Sequence, residues 1–131
     1  MIIGVIYFEK RGKYMNQNSN GTVRTEREES TLIIEIDRQN KMNGFTPEMF
    51  EGITSALELL EKDSELWVGV LCFAGKHTTA GLDLPRFFGP NSDSGQGSSP
   101  SENRPDAFAL GRRCTKPIIA AVQGVTYTIG I

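Results

Sequence analysis

The residues with most chemical promise sit at two turns, and backbone groups rather than side chains carry the promise. From Phe73 to Leu84 the chain reads Phe-Ala-Gly-Lys-His-Thr-Thr-Ala-Gly-Leu-Asp-Leu: an apolar run ends at Gly75, and a helix restarts near Leu82. The first N–H groups of a helix lack partners inside it and carry the positive end of its dipole. Ala80, Gly81 and Leu82 can therefore aim donors at an anionic oxygen. Gly81 supplies the unusual dihedrals such a corner requires. A second strand-to-turn junction, Pro117 to Ile131, follows the same plan.

The other reactive types read more plainly. Asp83 is the one carboxylate beside the first corner, and it reads as a first-turn helix cap before it reads as a proton carrier. His77 is the only histidine. With no Cys, His or Glu cluster around it, it reads as a solvent-facing loop residue, and no metal site is expected. Gly75-Lys76-His77-Thr78 lacks the spacing of a phosphate-binding loop. Cys72 and Cys114 share no short-spacing motif and read as reduced, buried thiols.

These corners need elements to position them. Thr22 to Glu28 alternates polar residues around one valine and predicts an edge strand. Leu32 to Asp37 predicts a stronger strand, with Glu29-Ser30 as the hairpin turn between them. Residues 38–45, with Asn40, Asn43 and Gly44, have loop chemistry. Thr46-Pro47-Glu48 is a helix start, a hydroxyl cap followed by proline and a carboxylate. Phe50, Ile53, Leu57 and Leu60 then form an apolar stripe to about Lys62, read as core packing. Leu66 to Ala74 is apolar almost throughout, which predicts a strand buried on both faces. The short helix begun near Leu82 is expected to continue over Leu84 to Phe88, and a second is expected over Pro105 to Cys114, with Phe108 and Leu110 inward. Ile118 to Val122 predicts another buried strand.

Bulk properties narrow the classes. The chain has 131 residues, 38% hydrophobic and 23% charged, which fits one soluble domain. A net charge of −2 argues against non-specific nucleic-acid binding. The apolar opening, Met1 to Phe8, is too short to span a membrane and runs into Glu9-Lys10-Arg11, so no export signal is expected and a cytoplasmic setting is. Residues 1–20 read as a flexible extension, with 1–14 outside the fold. Residues 21–131 read as the folded part, with a mobile Ser- and Gly-rich loop at 89–103.

Four stretches, in order, resemble the crotonase superfamily, the enoyl-CoA hydratase/isomerase family. Residues Asp37-Arg38-Gln39-Asn40-Lys41-Met42-Asn43-Gly44-Phe45 resemble its Arg-Pro-x-x-x-Asn-Ala-Leu loop. Trp67 to Gly75 resembles its strand ending in glycine. Thr79-Ala80-Gly81-Leu82-Asp83-Leu84 is similar to its Ser/Ala-Ala-Gly-x-Asp-Leu pattern, and Lys116-Pro117-Ile118-Ile119-Ala120-Ala121-Val122-Gln123-Gly124 to its Lys-Pro-x-x-Ala-x-Asn-Gly strand.

The resemblance implies an α/β fold, a crotonase-like spiral of ββα units, here reaching only the N-terminal part and truncated before the C-terminal half. It implies homo-oligomers, trimers or hexamers, and an acyl-CoA thioester as substrate with no further cofactor. It implies a thioester oxygen held between two backbone N–H groups, carried over by position to Ala80 and Ile129. Lys41, Gly44, Thr78, Ala80, Gly81, Leu82, Asp83 and Leu84 would line the CoA site. Such donors stabilise an enolate, at about 3–4 kcal/mol for one donor. Gln39, Gln123 and Thr128-Ile129 stand where the family usually has proline, asparagine and glycines. Hydratases of the family also use two glutamates, the first of which falls just beyond Ile131. The alternative reading is therefore a non-catalytic acyl-CoA-binding protein or a partner-dependent subunit.

Overall fold

A computed structural model describes residues 19–90 and 104–130. The expected extension and the loop at 89–103 fall largely outside those residues. Four strands form one mixed sheet in the order β1 (Thr22–Glu28), β2 (Thr31–Asp37), β3 (Val68–Phe73), β4 (Ile118–Ala120). The β1–β2 pair is an antiparallel hairpin, whereas β2–β3 and β3–β4 are parallel. The hairpin closes through two residues, and Glu29 takes the positive φ, 51°, that a tight hairpin needs to match strand twist.

Helix α1 (Pro47–Lys62) connects β2 to β3 and covers one face of the sheet. Its start follows the sequence signal: Thr46 Oγ1 accepts from Met49 N–H and donates to Asn20 O, with Pro47 at the first helical position. Met49, Ile53, Ala56, Leu57 and Leu60 face inward against Leu32, Ile34, Ile36 and Phe73. Gly69 lets the helix approach closely, since a Cβ there would lie 2.8 Å from Leu60 Cδ2. After the first corner comes α2 (Leu84–Phe88), a single short turn of helix beginning two residues later than expected.

Three expectations are corrected. Strand β3 is not buried on both faces: Val70 and Cys72 are only half-buried, and Trp67 just before the strand is 70% exposed. Strand β4 is exposed throughout, not buried. Both follow from the layering, because α1 covers one face and β4 is the sheet edge among the described residues. The helix expected over Pro105 to Cys114 is replaced by turns. The Asp106 carboxylate accepts from the N–H groups of Phe108, Leu110 and Gly111, and Ala109 sits at φ 53°. This local side-chain capture competes with helix formation. Leu110 points outward, 86% exposed, while Phe108 stays against Phe50 with ring centroids 4.3 Å apart. The same three N–H bonds, that of Phe108 foremost, lower the Asp106 pKa.

Leu60 is fully buried beneath the sheet. Leu60→Ala should lower stability by about 3 kcal/mol, read as an earlier urea midpoint with little change in slope.

Candidate active site

The first corner is built by a loop that folds back on it. Residues 38–45 contain a 3₁₀ turn, Gln39–Lys41, followed by Met42 and Asn43 at φ 48° and 49°. Asparagine tolerates that left-handed region better than most residues. Asn43 is buried and fully engaged: its Oδ1 accepts from Arg38 N–H at 2.8 Å, and its Nδ2 donates to Ala74 O at 2.8 Å and His77 O at 2.9 Å. Thr79 Oγ1 donates to Asn43 O and accepts from Gly81 N–H. The loop and the corner are thus one hydrogen-bonded unit.

That unit decides which amides remain available. Ala80 N–H donates to Met42 O at 2.8 Å, Gly81 N–H to Thr79 Oγ1 at 3.0 Å, and Asp83 N–H to Phe45 O at 2.9 Å. Leu82 N–H alone of these four has no acceptor among the described residues. Its direction is fixed, because Phe45 N–H donates to Gly81 O at 2.8 Å and a trans peptide points its N–H opposite to its C=O. The Ala80 N–H, expected as a donor, is thus engaged by Met42 O, and the open amide is that of Leu82, two positions on. The signal that would have found it is the pairing of Phe45 with Leu82, which lies 37 residues away in sequence and is not visible locally.

The second corner is stitched to the first. Thr78 N–H is shared between Gln123 O and Val125 O, Thr79 N–H donates to Val125 O, and Tyr127 N–H donates to Thr79 O. Thr78 Oγ1 donates to Gln123 O while Gln123 N–H donates back to Thr78 Oγ1. Gln123 Nε2 donates to Phe73 O and Gly75 O, closing the end of β3. His77 is half-buried rather than solvent-facing, and its Nδ1 accepts from Val125 N–H at 3.2 Å. Gly81 has φ 97°, and Thr128 Oγ1 lies 2.2 Å from where its Cβ would stand, so no side chain fits there. Thr128–Gly130 forms a 3₁₀ turn, and Ile129, 39% exposed, reaches a small cavity.

That cavity, about 120 Å³, is lined by Phe45, Phe73, Thr78, Ala107, Val122 and Ile129 among others. Its walls suit an apolar group of a few carbons. Lys41 is exposed on the 3₁₀ turn, Leu84 is exposed at the start of α2, and Gly44 and Thr78 are buried in the seam between the corners. Asp83 makes no side-chain cap to α2. Its carboxylate instead pairs with Arg38 Nη1 at 2.7 Å, and Arg38 is buried. Among the described residues no three His, Cys, Asp or Glu side chains group as metal ligands, and no helix is long and apolar enough to cross a membrane. Burial, and then the nearby Glu35 charge, push the Cys72 thiol up to about 11, so it is no nucleophile at neutral pH.

Two measurements follow from this geometry. Asn43→Ala removes three buried hydrogen bonds and leaves two carbonyls and one N–H unpartnered, so stability should fall by about 3 kcal/mol in urea titration. Iodoacetamide at pH 8 should alkylate Cys72 at least about 10-fold more slowly in the native than in the urea-unfolded chain. Because folding raises this pKa, its stabilising contribution is full below about pH 9 and lost as pH rises towards 11.

Comparison with known proteins agrees with this architecture. A profile of the enoyl-CoA hydratase/isomerase family matches residues 26–131. Over 100 residues the chain is 36% identical to enoyl-CoA hydratase EchA19 of Mycobacterium tuberculosis, covering 76% of this chain and 38% of that protein. It is 34% identical over 107 residues to hydroxycinnamoyl-CoA hydratase-lyase of Pseudomonas fluorescens, covering 79% and 38%. A crystal structure of a probable enoyl-CoA hydratase/isomerase from Mycobacterium abscessus superposes with a TM-score of 0.66 at 33% identity, over 77% of this chain and 39% of that one. The chain thus spans about two fifths of the length of the relatives it matches. With the fold, the two stitched corners and these matches in agreement, the chain belongs to the enoyl-CoA hydratase/isomerase family, of which it holds the N-terminal part.

Proposed function

We propose that this chain supplies the oxyanion half of a site that acts on enoyl-CoA thioesters, with the amides of Leu82 and Ile129 donating to the thioester oxygen. The observation that carries the reading is the Leu82 N–H: its peptide is anchored on the far side, and of residues 80–83 it alone has no acceptor among the described residues. Thr128 of the second corner lies against Gly81, which brings the neighbouring Ile129 close to the Leu82 peptide. An apolar cavity lined by Phe45, Thr78 and Ile129 has room for the start of an acyl chain. Adding water to an enoyl thioester, or shifting its double bond, concentrates charge on that oxygen. Preorganised amides stabilise it without reorganising.

The related proteins named above act, by their names, on CoA thioesters, which supports the same substrate class here. Lys41, Gly44, Thr78, Gly81, Asp83 and Leu84 flank the proposed donors and remain the proposed lining of the CoA groove. Assembly as a trimer or hexamer and a cytoplasmic setting belong to the same proposal.

A second reading, acyl-CoA binding without turnover, is favoured by one observation: Asp83 is the carboxylate at the corner, and Arg38 holds it. Held there, the carboxylate is engaged by a guanidinium and is not open towards the cavity.

Hydration of crotonyl-CoA, followed by absorbance in the full-length protein carrying this chain, separates the two. Leu82→Pro, which deletes the N–H, should lower kcat about 10²- to 10³-fold, while Leu82→Ala, which keeps it, should stay close to wild type. Wild-type turnover in Leu82→Pro would sink the proposal. Calorimetric binding of crotonyl-CoA with no hydration in the wild type would establish the second reading.

A further inference from the structure

We propose that Arg38 is a positioning residue that directs and strengthens the Leu82 amide through a relay of two peptide groups. The inference rests on the oxyanion reading above and deepens it. Arg38 is 6% exposed and sits where three segments meet. Its Nη1 donates to Gly44 O at 2.9 Å and pairs with Asp83 Oδ2 at 2.7 Å, and its Nε donates to Ser19 O at 2.8 Å.

The Gly44 carbonyl belongs to the same peptide group as the Phe45 N–H. That N–H donates to Gly81 O at 2.8 Å, and the Gly81 carbonyl belongs to the same peptide group as the Leu82 N–H. The path is therefore guanidinium, first peptide, second peptide, open amide. Each planar peptide passes orientation from its carbonyl to its N–H. Each also passes polarisation, because a carbonyl that accepts a stronger hydrogen bond leaves its own N–H a better donor. A guanidinium at the head of the chain makes the first bond charge-assisted.

The relay also answers a weakness at the corner. Gly81 has φ 97° and no Cβ, so the Gly81–Leu82 peptide has little intrinsic resistance to flipping. A flip would turn the Leu82 N–H inward and its donor direction would be lost. The Phe45 bond opposes that flip, and Arg38 holds the Phe45 peptide in place. Arg38 also fixes the loop at its base, since its backbone O accepts from Lys41 N–H and Asn43 N–H. Asp83 acts as the counter-ion in this scheme, not as a link in the path.

The test uses the full-length protein with butyryl-CoA labelled with ¹³C at the thioester carbonyl, a saturated ligand that does not react. Infrared difference spectra read the red shift of that carbonyl on binding, and crotonyl-CoA hydration gives kcat and KM separately. Arg38→Met should lose most of the red shift and lower kcat far more than it raises KM. Arg38→Lys, which keeps the charge but not the fork, should show an intermediate shift and decides alone if the Met variant does not fold. Glu61→Gln, distant from the corner, should lower stability with the shift unchanged. A wild-type red shift in either Arg38 variant overturns the relay, even if kcat falls. Absence of any red shift in the wild type overturns the oxyanion reading and the relay with it.

Discussion

A trans peptide group carries its acceptor and its donor on opposite edges, and the site described here depends on that constraint. Once Phe45 N–H engages Gly81 O, the Leu82 N–H must face the other way, towards whatever lies beyond the corner. The rest of the polar architecture serves to bring Phe45 to that place. The 3₁₀ turn at Gln39–Lys41 shortens the path from β2, the left-handed pair Met42 and Asn43 reverses it, and the capped start of α1 fixes where it ends. Donor direction is thereby set by backbone geometry, which survives most side-chain substitutions.

Two different cores share this work. Under α1 the core is apolar, and its burial supplies most of the stability. Beside it runs a polar seam of Arg38, Asn43, Thr46, Thr78 and Thr79, all buried, with no buried side-chain nitrogen or oxygen unsatisfied among the described residues. A hydrogen bond in such a seam nets only about 1 kcal/mol, while an orphaned group costs about 1–3 kcal/mol. The seam therefore adds little stability when complete and subtracts much when broken, which makes it a device for holding one geometry rather than for holding the fold.

Legibility in the sequence followed the range of the interactions involved. The hairpin and α1 were readable to within one residue because turn and cap signals are local: Glu29-Ser30 between alternating strands, Thr46-Pro47 before a regular stripe. The two corners were readable as places, because glycine marks them. Which amide at the first corner stays open was not, since Ala80 and Met42, and Phe45 and Leu82, meet only when the loop docks. Nor was the fate of residues 105–114, where one aspartate outbids the helix by gathering three N–H groups onto its carboxylate. Strand exposure failed for a related reason, as an apolar run shows that burial is favourable but not that a covering layer is present.

The pairing of Asp83 with Arg38 has an electrostatic side that bears on the chemistry. An unpaired carboxylate next to the open amide would oppose negative charge gathering on a thioester oxygen. One oxyanion donor contributes about 3–4 kcal/mol, and a bare charge nearby would offset part of it. The buried guanidinium, 2.7 Å from the carboxylate, offsets that charge. In the oxyanion reading proposed above, a corner so paired would stabilise charge that develops during reaction without attracting a permanent anion beforehand. That difference, stronger interaction with the transition state than with the ground state, is what accelerates a chemical step.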